Sequence, residues 1–218
     1  MDQRNFHACL WLAPLTMGAL LLMGNRALAE GSCVSEKCHV TLLKAANVHP
    51  VAESCDGCHE SVSTPHPQKG KKTFKLTQEP PDLCNTCHPG IADKKEVHFP
   101  VAQGMCTTCH NPHASDQPKL LTQPLKDVCG ACHADHLAFK VMHGPVSAGA
   151  CTACHTPHGS VNARLLIRRE TRFLCLQCHV DPFAANVPHG RLGFQARGDC
   201  TRCHAAIHGS NFDANFLH

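Results

Sequence analysis

Seven times along the chain, two cysteines separated by two residues are followed at once by a histidine. The groups are Cys55, Cys58 and His59; Cys84, Cys87 and His88; Cys106, Cys109 and His110; Cys129, Cys132 and His133; Cys151, Cys154 and His155; Cys175, Cys178 and His179; and Cys200, Cys203 and His204. An eighth group, Cys33, Cys38 and His39, has four residues between its cysteines. Two thiols so spaced can add across the two vinyl groups of a haem, and the adjacent histidine then reaches the iron from the same side. CxxCH is accordingly the attachment signature of c-type haem. A zinc ribbon also uses CxxC pairs, but it does not require a histidine directly after the second cysteine. The repetition excludes a thioredoxin-like redox pair. The expected cofactor is haem c, eight copies if the Cys33–Cys38 group is used. If those two cysteines form a disulfide instead, seven remain.

A second set of histidines follows the first. His49, His98, His143 and His189 each stand ten residues after the histidine of the first motif of a pair. His66, His113, His158 and His208 follow the histidine of the second motif by three to seven residues. The natural role of these eight is the sixth iron ligand, which makes every haem bis-histidine; only His136 and His218 are then spare after the leader. Three residues span at most about 11 Å, and the four from His204 to His208 at most about 14 Å, too little to carry the chain around a macrocycle. His113, His158 and His208 must therefore serve a neighbouring haem. Short cross-ligation of this kind draws haems together.

The elements that position these groups must be small. Paired motifs recur every 45 to 51 residues, so four dihaem repeats, at about 33–66, 84–113, 129–158 and 175–208, fill residues 30–218. Leu76, Leu121 and Ile167 each stand eight residues before the next cysteine, and Leu83, Val128 and Leu174 stand directly before it. Pro50-Val51, Pro100-Val101 and Pro145-Val146 follow three of the distal histidines, while Gly190-Arg191 follows His189. Because proline resists helix continuation, sharp turns are expected there. The fold expected is mostly irregular chain with short α-helices around the haems and little β-structure, the haem pairs forming an elongated stack. With 9 Phe, 1 Trp and no Tyr, large side chains are too few for an ordinary core.

Residues 1–29 read as a secretory signal peptide. Arg4 precedes an apolar run from about Ala8 to Gly24, and Ala27-Leu28-Ala29 supplies a cleavage site. A retained anchor is the alternative. The formal net charge of the chain is only +3, and haem propionates would turn it acidic, which argues against a nucleic-acid partner. Lys69, Lys71, Lys72 and Lys75 form a basic cluster that would suit an acidic redox partner, a solvated loop or the propionates.

Stretches such as His98-Phe99-Pro100-Val101, then Cys106 to His110, then Asn111-Pro112-His113 resemble the doubled-CxxCH family of multihaem cytochromes c, over about residues 33 to 208. In length and haem number the chain is similar to the periplasmic octahaem subunits of porin–cytochrome conduits. That resemblance implies electron transfer, not catalysis, in the periplasm and in association with the outer membrane. The implied partners are redox proteins, an outer-membrane β-barrel porin and an outer-surface multihaem cytochrome. A soluble periplasmic shuttle, a subunit of an extracellular cytochrome filament and a multihaem oxidoreductase are the alternatives. Eight sixth-ligand candidates for eight motifs leave no open iron for the last.

Overall fold

The computed structural model describes residues 33–35, 38–179, 189 and 198–217. The signal-peptide reading at 1–29 and the spare His218 lie outside the described residues. Residues Cys33–His218 form one unit. Its helices are short: α1 (Asp82–Asn85), α2 (Phe99–Ala102), α3 (Leu125–Gly130), α4 (Gly144–Ser147) and α5 (Thr171–Cys175). Among the described residues no helix is long and apolar enough to cross a membrane.

Local chemistry explains where these turns begin. Pro81 and Pro124 directly precede α1 and α3, and Pro100 and Pro145 lie in the first turns of α2 and α4. Proline fits such places because its φ is already helical and the first N–H groups of a helix have no intrahelical partner. The prolines after His98 and His143 therefore start a helical turn where the sequence suggested only a sharp bend. Both histidines remain extended, with φ near −60° (−64° and −61°), just outside their helices.

The two motif classes differ in local form. Cys84, Cys129 and Cys175 lie on α1, α3 and α5. Second motifs instead open 3-10 turns at Cys55–Gly57, Cys106–Thr108, Cys151–Ala153 and Cys200–Arg202. The strands are β1 (Asn47–Val48), β2 (His59–Ser61), β3 (Phe74–Leu76), β4 (Glu96–Val97), β5 (Ala114–Ser115), β6 (Val141–Met142), β7 (Gly159–Ser160) and β8 (Gly209–Ser210).

These strands make four antiparallel two-stranded ladders. Three of them repeat one design, pairing β1 with β5, β4 with β7 and β6 with β8. In each, the residues before a ten-spaced histidine of one unit pair with the residues after the second distal histidine of the next. A backbone bond between the two histidines continues each ladder: His49 N–H to His113 O at 2.8 Å, His98 to His158 at 3.0 Å and His143 to His208 at 3.1 Å. Consecutive units are clasped at their distal histidines.

Burial falls mostly at the same clasps, with Thr73 beside β3 the exception. Among the described residues Ala114 is the only buried hydrophobic side chain, and Thr73, Ser160 and Ser210 are the buried polar ones. Small residues are needed because a Cβ on Gly159 would lie 3.0 Å from Glu96 O, and one on Gly209 would lie 2.6 Å from Phe139 Cβ. Polypeptide packing against polypeptide thus supplies little core, as the scarcity of large side chains implies.

Gly104 and Gly149 occupy equivalent places before the second motifs. Both have positive φ, and added Cβ atoms would meet Pro81 Cδ and Lys126 Cβ, each at 2.7 Å. We expect Gly104→Ala to lower the stability of the holoprotein by about 1–3 kcal/mol, through a left-handed backbone and a clash at once. Gly57→Ala, which meets nothing within 4 Å, should cost less. Thermal unfolding of both variants measures the difference.

Candidate haem-binding histidine pairs

Each motif outside the first group is built on a single helical turn. The His88, His110, His133, His155, His179 and His204 N–H groups donate to the carbonyl of the first cysteine of their own motif, at 2.9 to 3.1 Å. In the second motif of the first unit, Cys58 N–H donates to Cys55 O at 3.2 Å. This turn brings both sulfurs and the imidazole to one side of the chain, as two thioether bonds and an axial ligand require. The Cys33 group forms a wider loop, in which Ser35 and Cys38 exchange backbone bonds of 2.8 and 3.1 Å. Among the described residues no cysteine is in a disulfide, Cys33 and Cys38 included. Among the described residues no group of three or more His, Cys, Asp or Glu side chains is disposed to hold a bare metal ion. The histidines meet in pairs.

Every motif histidine faces one member of the second set. The ring centres are 5.8 Å apart for His39–His66, 6.1 Å for His59–His113, 6.1 Å for His88–His49 and 5.8 Å for His110–His158. They are 6.0 Å apart for His133–His98, 6.1 Å for His155–His208, 6.1 Å for His179–His143 and 5.9 Å for His204–His189. A metal between two imidazoles, bonded at about 2 Å to each nitrogen, separates the ring centres by roughly 6 Å. The pairs fit a six-coordinate iron with histidine on both faces.

The pairs follow one rule. His49, His98 and His143 face the first motif of the following unit, and His113, His158 and His208 face the second motif of the preceding unit. The spacing limit on the last three is thereby met. At the two ends the rule gives way, and His66 and His189 face motifs of their own units. His136 stacks 4.5 Å from His208 and 6.0 Å from His133. Being three residues from His133, it is subject to the same spacing limit.

Electrostatics favour the ligand form of the clasp histidines. Burial, and then the neighbouring imidazoles, lower the pKa of His113, His158 and His208. Burial and His179 lower that of His143. Each shift is toward the neutral ring that a metal requires.

The cysteine thiols, which stand where thioether sulfurs would be, show which motifs adjoin. Within each unit the first cysteines of the two motifs touch: Cys33 with Cys55, Cys84 with Cys106, Cys129 with Cys151 and Cys175 with Cys200. Burial and these contacts push Cys129 and Cys175 up to about 11. Between units, Cys58 acts on Cys84, Cys109 on Cys129, and Cys154 on Cys175. The motifs are neighbours in chain order.

One set of positioning groups escaped the sequence reading. His110 Nδ1 donates to Lys119 O and His155 Nδ1 to Arg164 O, both at 2.9 Å, and His204 Nδ1 donates to Asn215 O at 2.5 Å. A carbonyl only accepts, so Nδ1 carries the proton and Nε2 is left to bind metal. Lys119 and Leu120 have φ of 59° and 57°, and Arg164 and Leu165 have 58° and 56°. These left-handed kinks aim the carbonyls. Ser115 and Ser160 anchor them, donating to Leu121 O and Leu166 O and accepting from Gln117 N–H and Asn162 N–H. Aligning Ser115 through Leu121 with Ser160 through Leu166 would have flagged the segment, but not the backbone atom that acts.

A family model described as Doubled CXXCH motif matches residues 49–93, 98–138 and 143–183. No curated protein matches the chain.

Lys119→Pro, with φ held near −65°, cannot keep the kink, so His110 should lose its acceptor and become a poorer electron donor to iron. The expected result is a rise in the potential of one haem, while Lys119→Gly, which tolerates positive φ, leaves it unchanged. A spectroelectrochemical titration of the two variants against the parent checks this.

Proposed function

Because this chain belongs to the doubled CXXCH motif family, whose repeated motifs mark multihaem c-type cytochromes of electron transfer, we propose that it is an octahaem electron carrier. The observation that carries this reading is the set of eight ring pairs, each joining one motif histidine to one histidine of the second set. Sixteen cysteines, Cys33 and Cys38 among them, supply the thioether bonds. Bound haem supplies one-electron cycling between ferric and ferrous iron.

The chain's own residues set the conditions for that cycling. The paired imidazoles would hold each iron from both faces and leave no site for a substrate, which favours an electron carrier over an enzyme. Bis-histidine ligation favours lower potentials than histidine–methionine ligation. The touching cysteines within units and the adjoining ones between units support a linear order, in which electrons pass from motif to motif along an elongated stack of pairs. Export by a cleaved signal peptide places the carrier in the periplasm. There it delivers electrons to, or forms the inner end of, an outer-membrane porin–cytochrome conduit; size, haem number and export support that role.

Intact-mass measurement of the holoprotein should return the mass after residue 29 plus eight haems, and seven would remove the Cys33 group. The reduced parent should not bind carbon monoxide, whereas His158→Gly should bind about one per chain, at the haem of His110. Strong binding by the parent would instead favour an oxidoreductase. Purification from native outer membranes tests the location. A porin and a second multihaem cytochrome should accompany the tagged protein, and recovery alone from the periplasm would make it a shuttle.

A further inference from the structure

The first unit departs from the repeat in a way that wiring does not require. In the second and third units His110 meets Leu121, and His155 meets Leu166, in single bridges. In the first unit the corresponding segment lengthens into the β2–β3 hairpin, with His59 paired to Leu76 and Ser61 to Phe74. Val62 N–H extends it to Thr73 O at 2.9 Å. The small residue that follows the distal histidine at Ala114, Gly159 and Gly209 is here Pro67, and this segment makes no clasp with another unit. It turns at Gly70, with φ of 74°, and Lys71 N–H donates to Gln68 O at 3.2 Å.

This hairpin carries the lysines. Lys69, Lys71 and Lys72 are exposed at its tip, and Lys75 pairs with Glu60 at 2.5 Å. Lys69, Lys71 and Lys72 make no ion pair among the described residues. Their position is specific, because Thr73, next to Lys72, hydrogen-bonds His66 Nδ1. Phe74, 38% exposed, sets its edge against the His66 ring at 4.9 Å. His66 in turn faces His39 at 5.8 Å. A basic loop and a partly exposed aromatic ring thus adjoin the terminal ligand pair of the series.

Resting on the electron-transfer reading above, we propose that the β2–β3 hairpin is the docking surface on which an acidic one-electron carrier protein exchanges electrons with the haem held by His39 and His66. Free lysines steer an acidic partner and raise its association rate, and an apolar centre within a polar rim suits a small, transient redox interface. Adhesion to anionic lipid calls for clusters of about four to eight basic residues, and only three here lack an acid. In the exchange the carrier loses one electron and the ferric iron of that pair becomes ferrous.

The test is stopped-flow reduction of the holoprotein by an acidic flavodoxin in its hydroquinone state, over a range of ionic strength. The parent's second-order rate constant should fall as salt rises. The Lys69→Glu, Lys71→Glu, Lys72→Glu variant should be about 10- to 100-fold slower at low salt and converge on the parent at high salt. Arg168→Glu with Arg169→Glu, a reversal of exposed charge elsewhere, should leave the rate near the parent's. Parent-like rates in the triple variant would overturn the proposal. So would a loss that persists at high salt with altered haem content, since the lysines would then serve propionates. Salt-independent kinetics combined with lysine-dependent binding to phosphatidylserine vesicles would overturn it in favour of a membrane surface. Failure of dithionite to reduce the parent would sink the electron-transfer reading itself, a result distinct from all of these.

Discussion

Two imidazole rings held about 6 Å apart by different stretches of chain are the contact on which the rest of the structure depends. In the interior of the series the two rings always come from consecutive units. The backbone bonds His49 to His113, His98 to His158 and His143 to His208 tie the donated rings to one another as well. Each clasp therefore places two ligands at once, one for the motif behind it and one for the motif ahead. With Ala114 the only buried hydrophobic side chain among the described residues, apolar packing of the polypeptide cannot hold the units. Ladder bonds and ligand geometry take over that task.

The sequence announces the chemistry far better than the connections. Cysteines and motif histidines declare themselves by spacing, and the second histidines by their recurrence ten, or three to seven, residues later. Three or four residues cannot pass around a macrocycle, so the displacement of His113, His158 and His208 to a neighbour is legible too. Which neighbour is not legible, because backbone groups decide it, in ladders too short to leave a hydrophobic period. His66 shows the difficulty. It occupies the same repeat position as His113, yet it faces His39, since its segment folds into a hairpin with no strand of another unit to join. The prolines after His98 and His143 carry a similar ambiguity: the ring that stops one helix is equally suited to start another.

A second alternation runs beneath the first. Motif histidines His110, His155 and His204 direct Nδ1 at a backbone carbonyl, whereas among the described residues His88, His133 and His179 have no such bond. A ring whose Nδ1–H is held by a fixed carbonyl is more basic than a ring without that bond. Neighbouring centres are therefore inequivalent even where their ligands are identical, and the inequivalence is built by main-chain conformation at Lys119-Leu120 and Arg164-Leu165.

The shared clasp also governs how such a chain can change length over evolutionary time. Duplicating one whole repeat adds two attachment motifs, one forward-donated ring and one backward-donated ring, together with a complete new junction. Nothing is orphaned by that event. Losing half a repeat, by contrast, strands a ring on one side of the break and deprives a metal centre on the other. Gene-level growth or shrinkage in steps of one full period is tolerated by this architecture, and the terminal variants at His66 and His189 are where a series of any length can be closed.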